Sequence, residues 1–204
     1  MASMTSRDTH RANANRRRIL DVALAELLRD PDASMDQIAR AAGVVRRTVY
    51  GHFPSREALI STLLDGAVEM VAAAEAAGMR GVADPAESLV RSTLAVWEVA
   101  DRYRLLVALA QRSVTVQGIR DRLAPMREAA AEMLQRGLEQ GAFESPLSAP
   151  ALAYLHEQML FALMEEVNDG LLKPEEAGES AAIMILTVSG VPVPRATELV
   201  ARLS

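Results

Sequence analysis

Between Ser34 and Phe53 the chain reads SMDQIARAAGVVRRTVYGHF, and its chemically capable side chains crowd into the second half. Arg46 and Arg47 carry planar guanidinium groups, each able to bond the O6 and N7 of a guanine together. Thr48, Tyr50 and His52 add neutral donors suited to phosphate oxygens, contacts that fix register without reading sequence. Arg16, Arg17 and Arg56 bring further positive charge to either side. This is chemistry for holding a polyanion rather than for breaking a bond. Plainer uses compete with each assignment: an arginine run is often a solvated face, His52 also suits a hydrogen bond at a helix end, and Phe53 reads as core.

Catalytic chemistry finds little to build on. Cysteine is absent, which removes disulfides, thiolate metal sites and cysteine nucleophiles. The histidines are His10, His52 and His156, and no two sit at metal-ligand spacing. His156-Glu157 lacks the second histidine of the zinc-protease motif, and no phosphate loop, dinucleotide glycine pattern or nucleophile elbow occurs. No enzyme, cofactor or metal is expected. The rival to nucleic-acid binding is an all-helical dimeric interaction protein that never meets DNA, for which Arg46, Arg47 and Tyr50 are surface decoration.

The net charge of −5 argues at first against a polyanionic partner, but its distribution reverses that. Residues 1–60 hold ten Arg against seven acidic residues, whereas 61–204 hold twelve basic residues against twenty acidic ones. A basic head on an acidic body is a usable footprint, because attraction to phosphate acts over about a Debye length, roughly 10 Å. The N-terminus is polar and basic with no apolar core behind it, unlike a signal peptide. The longest apolar run, Ala181 to Val193, is broken by Thr, Ser, Gly and Pro and is too short for a bilayer. A cytoplasmic protein with no membrane partner is expected.

The elements that must position these groups read as helices throughout. After a flexible arm to about Asn13, a first helix reaches Arg29 with Ile19, Val22, Ala23 and Leu27 as its apolar stripe. Ser34 and Gln37 fit the capping box of a second helix, whose buried face is Met35, Ile38, Ala39 and Ala42. Gly43 provides the left-handed turn, and Val49 anchors a third helix starting near Val45. Small residue, turn glycine and β-branched anchor at this spacing predict a helix-turn-helix. Further helices are expected from Pro54-Ser55 to about Ala77, Pro85 to about Ala100, Tyr103 to Val114, Gly118 to Gln140, Ala149 to Asp169 and Glu175 to about Gly190, with a short one after Pro192. The helices beginning at Ala149 and Glu175 are apolar on more than one side. A second copy of the chain packed as a four-helix bundle buries such helices naturally. Leu155, Met159, Leu163, Ile183, Met184, Leu186 and Thr187 are the candidates for that interface.

The stretch GVVRRTVYGHFPSREALI resembles the end of the DNA-binding region in the TetR family of one-component transcriptional repressors. The matching positions are Thr48, Val49, Tyr50, His52, Phe53, Arg56 and Leu59, and the resemblance covers about residues 14–60. Val45 stands where the family often has a small polar residue, and Arg56 where it commonly has Lys. The resemblance implies an all-α chain of about nine to ten helices. It would comprise a helix-turn-helix domain over residues 1–53, with a basic arm, and a regulatory and dimerisation domain over 54–204. It implies a homodimer on a pseudo-palindromic double-stranded operator, contacted through Arg16, Arg17, Ser34, Arg46, Arg47, Thr48, Tyr50, His52 and Arg56. It further implies release by a small effector in a body pocket, for which Thr93, Trp97, Tyr103, Gln111, His156 and Met159 are the candidates. With three Phe, three Tyr, one Trp and ten Met in the chain, such a pocket would be aliphatic and would favour an apolar effector.

Overall fold

The computed structural model describes residues 2–113 and 116–204, and among these the secondary structure is helical with no strand. The helices are α1 Ala2–Arg29, α2 Met35–Ala41, α3 Arg46–His52, α4 Arg56–Met79, α5 Pro85–Ser113, α6 Val116–Glu139, α7 Ala149–Asn168, α8 Pro174–Val188 and α9 Val193–Leu203. The chain divides into two compact units, one of Met1–Gly66 with Leu105–Val116 and one of Ala67–Arg104 with Gln117–Ser204.

In the first unit α1 packs on α2 and α2 on α3. Ile19, Ala23 and Leu27 recur every four residues along α1 and are buried, as are Ile38 and Ala39 on α2 and Val49 on α3. That periodicity is what turns one stripe of each helix inward. Burying a side chain such as Ile19 or Ile38 contributes about 1.5–3 kcal/mol each, which outweighs the weak tendency of seven-residue helices to form alone. The turns are built from local chemistry. Ser55 Oγ accepts from the backbone N–H of Ala58 at 3.1 Å and so caps α4.

In the second unit, Leu89 and Val90 of α5, Met133 and Leu134 of α6, Leu152 of α7, Ile185 and Leu186 of α8, and Val200 of α9 form one apolar cluster. A second cluster joins Trp97 to Leu163, Met164 and Val167 of α7 and Ala177 and Ala181 of α8. Gly178 makes the approach of α5 to α8 possible: a β-carbon there would stand 2.8 Å from Trp97 Cδ1. Asp84 Oδ1 accepts from the N–H of Glu87 at 2.7 Å and caps α5, with Pro85 at its first position.

The structure departs from the sequence reading in three places. Helix α1 begins at Ala2, not after about Asn13; no Gly or Pro interrupts residues 2–29. The two helices expected over 85–100 and 103–114 are one helix, α5. Asp101, in the expected gap, is paired within the helix, since Arg104 Nε donates to it at 2.9 Å, and Arg104 also donates to Asn168 of α7. Leu163 and Leu186, expected on a self-association face, are buried in the two clusters of the protomer itself. Met184 is the exposed member of that set, while Leu155, Met159, Ile183 and Thr187 are half-buried.

Candidate nucleic-acid interface

Helices α2 and α3 are set by the residues between and before them. The backbone N–H of Ser34 donates to Gln37 Oε1 at 2.7 Å, and the N–H of Gln37 donates back to Ser34 Oγ at 3.3 Å. The capping box is therefore complete, and the Ser34 hydroxyl also points its hydrogen at Gln37 Oε1 (2.7 Å). Gly43 sits at φ 63°, in the left-handed region where a side chain is strained. The N–H of Val44 returns to the carbonyl of Ala39 at 3.0 Å and closes the turn. Val45 is the N-cap of α3 in extended conformation, with no side-chain hydrogen bond, and it is 70% exposed. The polar residue missing from this position in the sequence is thus a missing cap in the structure.

On α3, Val49 is fully buried while Arg46, Arg47 and Tyr50 are exposed, and Thr48 and His52 are half-buried. One face of a two-turn helix holds it to the protein, and the other presents two guanidinium groups and a phenol. These neighbours differ. The Arg46 guanidinium donates to Asp36 at 2.8 Å and to the Tyr50 hydroxyl at 3.3 Å, and lies 5.1 Å from the centroid of the Tyr50 ring. Among the described residues Arg47 has no such partner. Asp36, ten residues before Arg46, was not singled out from the sequence. An acid in the first turn of α2 and a base at the start of α3 were the available signal.

The remaining basic residues have specific places. The Arg16 guanidinium lies 5.4 Å from the centroid of the Phe53 ring, and Arg17 is exposed. The Phe53 ring itself is buried, and His52 lies beside it at a centroid distance of 6.2 Å. Arg56 Nε donates to the carbonyl of Ala33 at 3.1 Å, and its terminal nitrogen donates to the carbonyl of Pro31. Its fork therefore holds the loop that leads into α2.

The residues named for a body pocket differ in burial. Thr93, Trp97 and His156 are buried, and Tyr103 and Met159 are half-buried, all in the second unit. Gln111 is exposed and belongs to the first unit. Trp97 is packed into the α5–α7–α8 cluster, and the Tyr103 hydroxyl donates to Met70 Sδ at 3.0 Å. His156 Nε2 lies 3.2 Å from Ser189 Oγ, whose own hydrogen goes to the carbonyl of Ile185 at 2.9 Å. The ring nitrogen is therefore the donor to Ser189. Burial lowers the His156 pKa to about 4, and burial raises that of Glu75 on α4 to about 7. Among the described residues, no three His, Asp or Glu side chains gather where a metal ion could sit, and no helix is long and apolar enough to cross a membrane.

Known proteins share both the sequence of this head and the fold of the whole. Residues 19–63 match the family model described as bacterial regulatory proteins, tetR family. The HTH-type transcriptional regulator EthR of Mycobacterium tuberculosis is 44% identical over 66 residues, covering 30% of this chain and 31% of that protein. An uncharacterized HTH-type transcriptional regulator of Pseudomonas putida, TtgW, is 40% identical over 63 residues, covering 30% of this chain and 47% of that one. The matches thus span less than half the length of these curated relatives. Among solved structures, the fatty acid degradation regulator FadR of Bacillus halodurans superposes with a TM-score of 0.73 at 18% identity, over 84% of this chain and 94% of that one. RolR in complex with resorcinol gives 0.66 at 19% identity, over 95% and 96% of the two chains. At such identities these structures speak for the fold, and the head speaks for the family. With its capped α2, its glycine turn at Gly43 and its exposed Arg46, Arg47 and Tyr50 on α3, the head of the chain, over residues 19–63, matches the tetR family of bacterial regulatory proteins.

Proposed function

We propose that the protein is a DNA-binding transcriptional repressor that occupies a pseudo-palindromic operator as a homodimer and leaves it when a small effector binds the helical body. The observation that carries this reading is the two-sidedness of α3. Val49 is fully buried, and the opposite face offers Arg46, Arg47 and Tyr50 to solvent. Arginine there suits base edges, and Thr48, Tyr50 and His52 suit phosphate oxygens. Arg17 extends the phosphate contact from α1. Arg16, Ser34 and Arg56 contribute mainly by holding the head together, through Phe53, Gln37 and the Pro31–Ala33 carbonyls.

A single α3 reads only a few base pairs, so two copies related by a two-fold axis are needed to read an operator. Met184, with Leu155, Met159, Ile183 and Thr187, supplies the outward apolar surface of α7 and α8 for that pairing. An apolar effector is favoured by an aliphatic, methionine-rich body. The resorcinol held by RolR, a protein of the same fold, is one example of a small ligand.

The test is selection of duplexes from a randomised pool by the full-length protein. The expected product is an inverted repeat whose half-sites lie about one helical turn, or a multiple of it, apart. Recovery of no common sequence, or of a single unpaired half-site, contradicts the reading.

A further inference from the structure

Two adjacent arginines on α3 differ in freedom, and the difference comes from α2. The guanidinium of Arg46 is anchored at both tips, Nη1 to Asp36 Oδ2 at 2.8 Å and Nη2 to Tyr50 Oη at 3.3 Å. Its Cζ lies over the Tyr50 ring, 5.1 Å from the ring centroid. Both members of the Asp36–Arg46 pair are well exposed, at 50% and 64% of their side chains, so the pair contributes little to stability. What it changes is where the guanidinium can go. Arg47, with no partner among the described residues, keeps its rotamer freedom.

Resting on the DNA-binding reading above, we propose that Asp36 is a positioning residue for specificity. It holds Arg46 in the orientation that meets a base edge and keeps it away from the phosphates, leaving phosphate contact to Arg47. An arginine fixed at two points presents its remaining N–H donors in one direction, which is the condition for discriminating one base from another. An arginine on a free stem finds the nearest phosphate oxygen, which adds affinity for every sequence and a step in salt dependence. The aspartate carboxylate reinforces the division, since it repels phosphate from the side of Arg46 it occupies.

The test is a double-mutant cycle on the full-length protein. The variants are Asp36→Asn, Arg46→Ala and their combination, with Arg47→Ala and its combination with Asp36→Asn as a parallel cycle. The probes are a duplex that the wild type selects from a randomised pool and a scrambled duplex of the same length. Asp36→Asn is expected to tighten binding to the scrambled duplex about threefold and to steepen the log–log salt dependence by about one. The ratio of selected to scrambled binding falls accordingly. In the Arg46→Ala background the same substitution changes the salt slope by much less than one and leaves the ratio unaltered. In the Arg47→Ala background it keeps its full effect. Asp36→Ser gives a second measurement of the same quantities should the amide variant fold poorly.

An equal effect of Asp36→Asn with and without Arg46 overturns the proposal, because the aspartate then acts only through its own charge. An unchanged ratio in the single variant overturns it as well. Failure of the wild type to bind either duplex in a salt-dependent way overturns the DNA-binding reading itself, and this inference with it.

Discussion

Arg56, at the start of α4, donates through Nε to the carbonyl of Ala33 at 3.1 Å, twenty-three residues earlier in the chain. A second donation reaches Pro31, so one guanidinium satisfies two carbonyls of the loop between α1 and α2. The sequence suggested a phosphate contact for this residue; its geometry makes it a clamp on the loop that precedes the capping serine. Arg56→Ala is expected to lower the stability of the protein by about 1–3 kcal/mol, the range for a charged donor whose acceptors are left unpaired. Arg56→Lys keeps the charge but loses the fork, and should recover little of it. Urea unfolding measures both. Unaltered stability in both variants would return Arg56 to the surface as a simple DNA contact.

Val45 occupies the N-cap of α3 without a side-chain hydrogen bond and is 70% exposed. Val45→Ser supplies the missing acceptor to the first turn of α3. The substitution should stabilise the protein by about 0.5–1 kcal/mol. Ser34→Ala, which removes the cap of α2 and opens its reciprocal box, should cost about 1 kcal/mol. Thermal melts of the two variants should move in opposite directions.

Two buried groups give the stability a pH dependence with opposing signs. The His156 pKa is lowered to about 4 from its ordinary 6.5, so unfolded chains take up a proton before folded ones do. Stability fully present above about pH 6.5 is therefore lost as pH falls to about 4, with an amplitude of about 3 kcal/mol. The Glu75 pKa is raised to about 7 from 4.5, so the folded carboxyl keeps its proton after the unfolded one has released it. Its contribution is fully present below about pH 4.5 and is lost as pH rises through about 7. Glu75→Gln should raise the urea midpoint near pH 7 and leave it unchanged near pH 4. His156→Gln should flatten the acid limb.

Arg46 and Tyr50 touch each other but are expected to fail differently. Arg46→Ala should change which operator bases matter, at about 1–3 kcal/mol for the base it reads. The Tyr50 hydroxyl accepts from Arg46 and keeps its own hydrogen for a phosphate oxygen. Tyr50→Phe should then weaken selected and point-mutated operators alike through the lost phosphate contact, with a smaller loss of discrimination at the base Arg46 reads, because one of that guanidinium's two anchors is gone. Titrations on a panel of single-base operator variants separate the two, and uniform losses for Arg46→Ala would remove its base-reading role.

Much of the head was legible in the residues because its determinants are local. Ser34 with Gln37, Gly43 and Val49 each act within one turn or one hairpin, and the structure shows them as capping box, left-handed turn and buried anchor. The uncapped start of α3 at Val45 was legible through the family resemblance, in which a small polar residue often stands at that position. What escaped depends on pairs far apart in the chain. Asp36 meets Arg46 only because α2 and α3 cross, and Arg56 meets Ala33 only because α4 returns to the α1–α2 loop. Apolar periodicity also misled in two ways. It divided α5 into two helices between about Ala100 and Tyr103, and it could not tell an outward apolar residue such as Met184 from a core one such as Leu186.

The central claim is that the exposed face of α3 holds a DNA duplex. Its most direct test is the affinity of the full-length protein for its selected duplex between about 50 and 200 mM salt. The account predicts a steep log–log dependence, a slope of several units for several phosphate contacts, and a slope smaller by about one in Arg47→Ala. Affinity that is indifferent to salt, or no binding at the lowest salt, would contradict it.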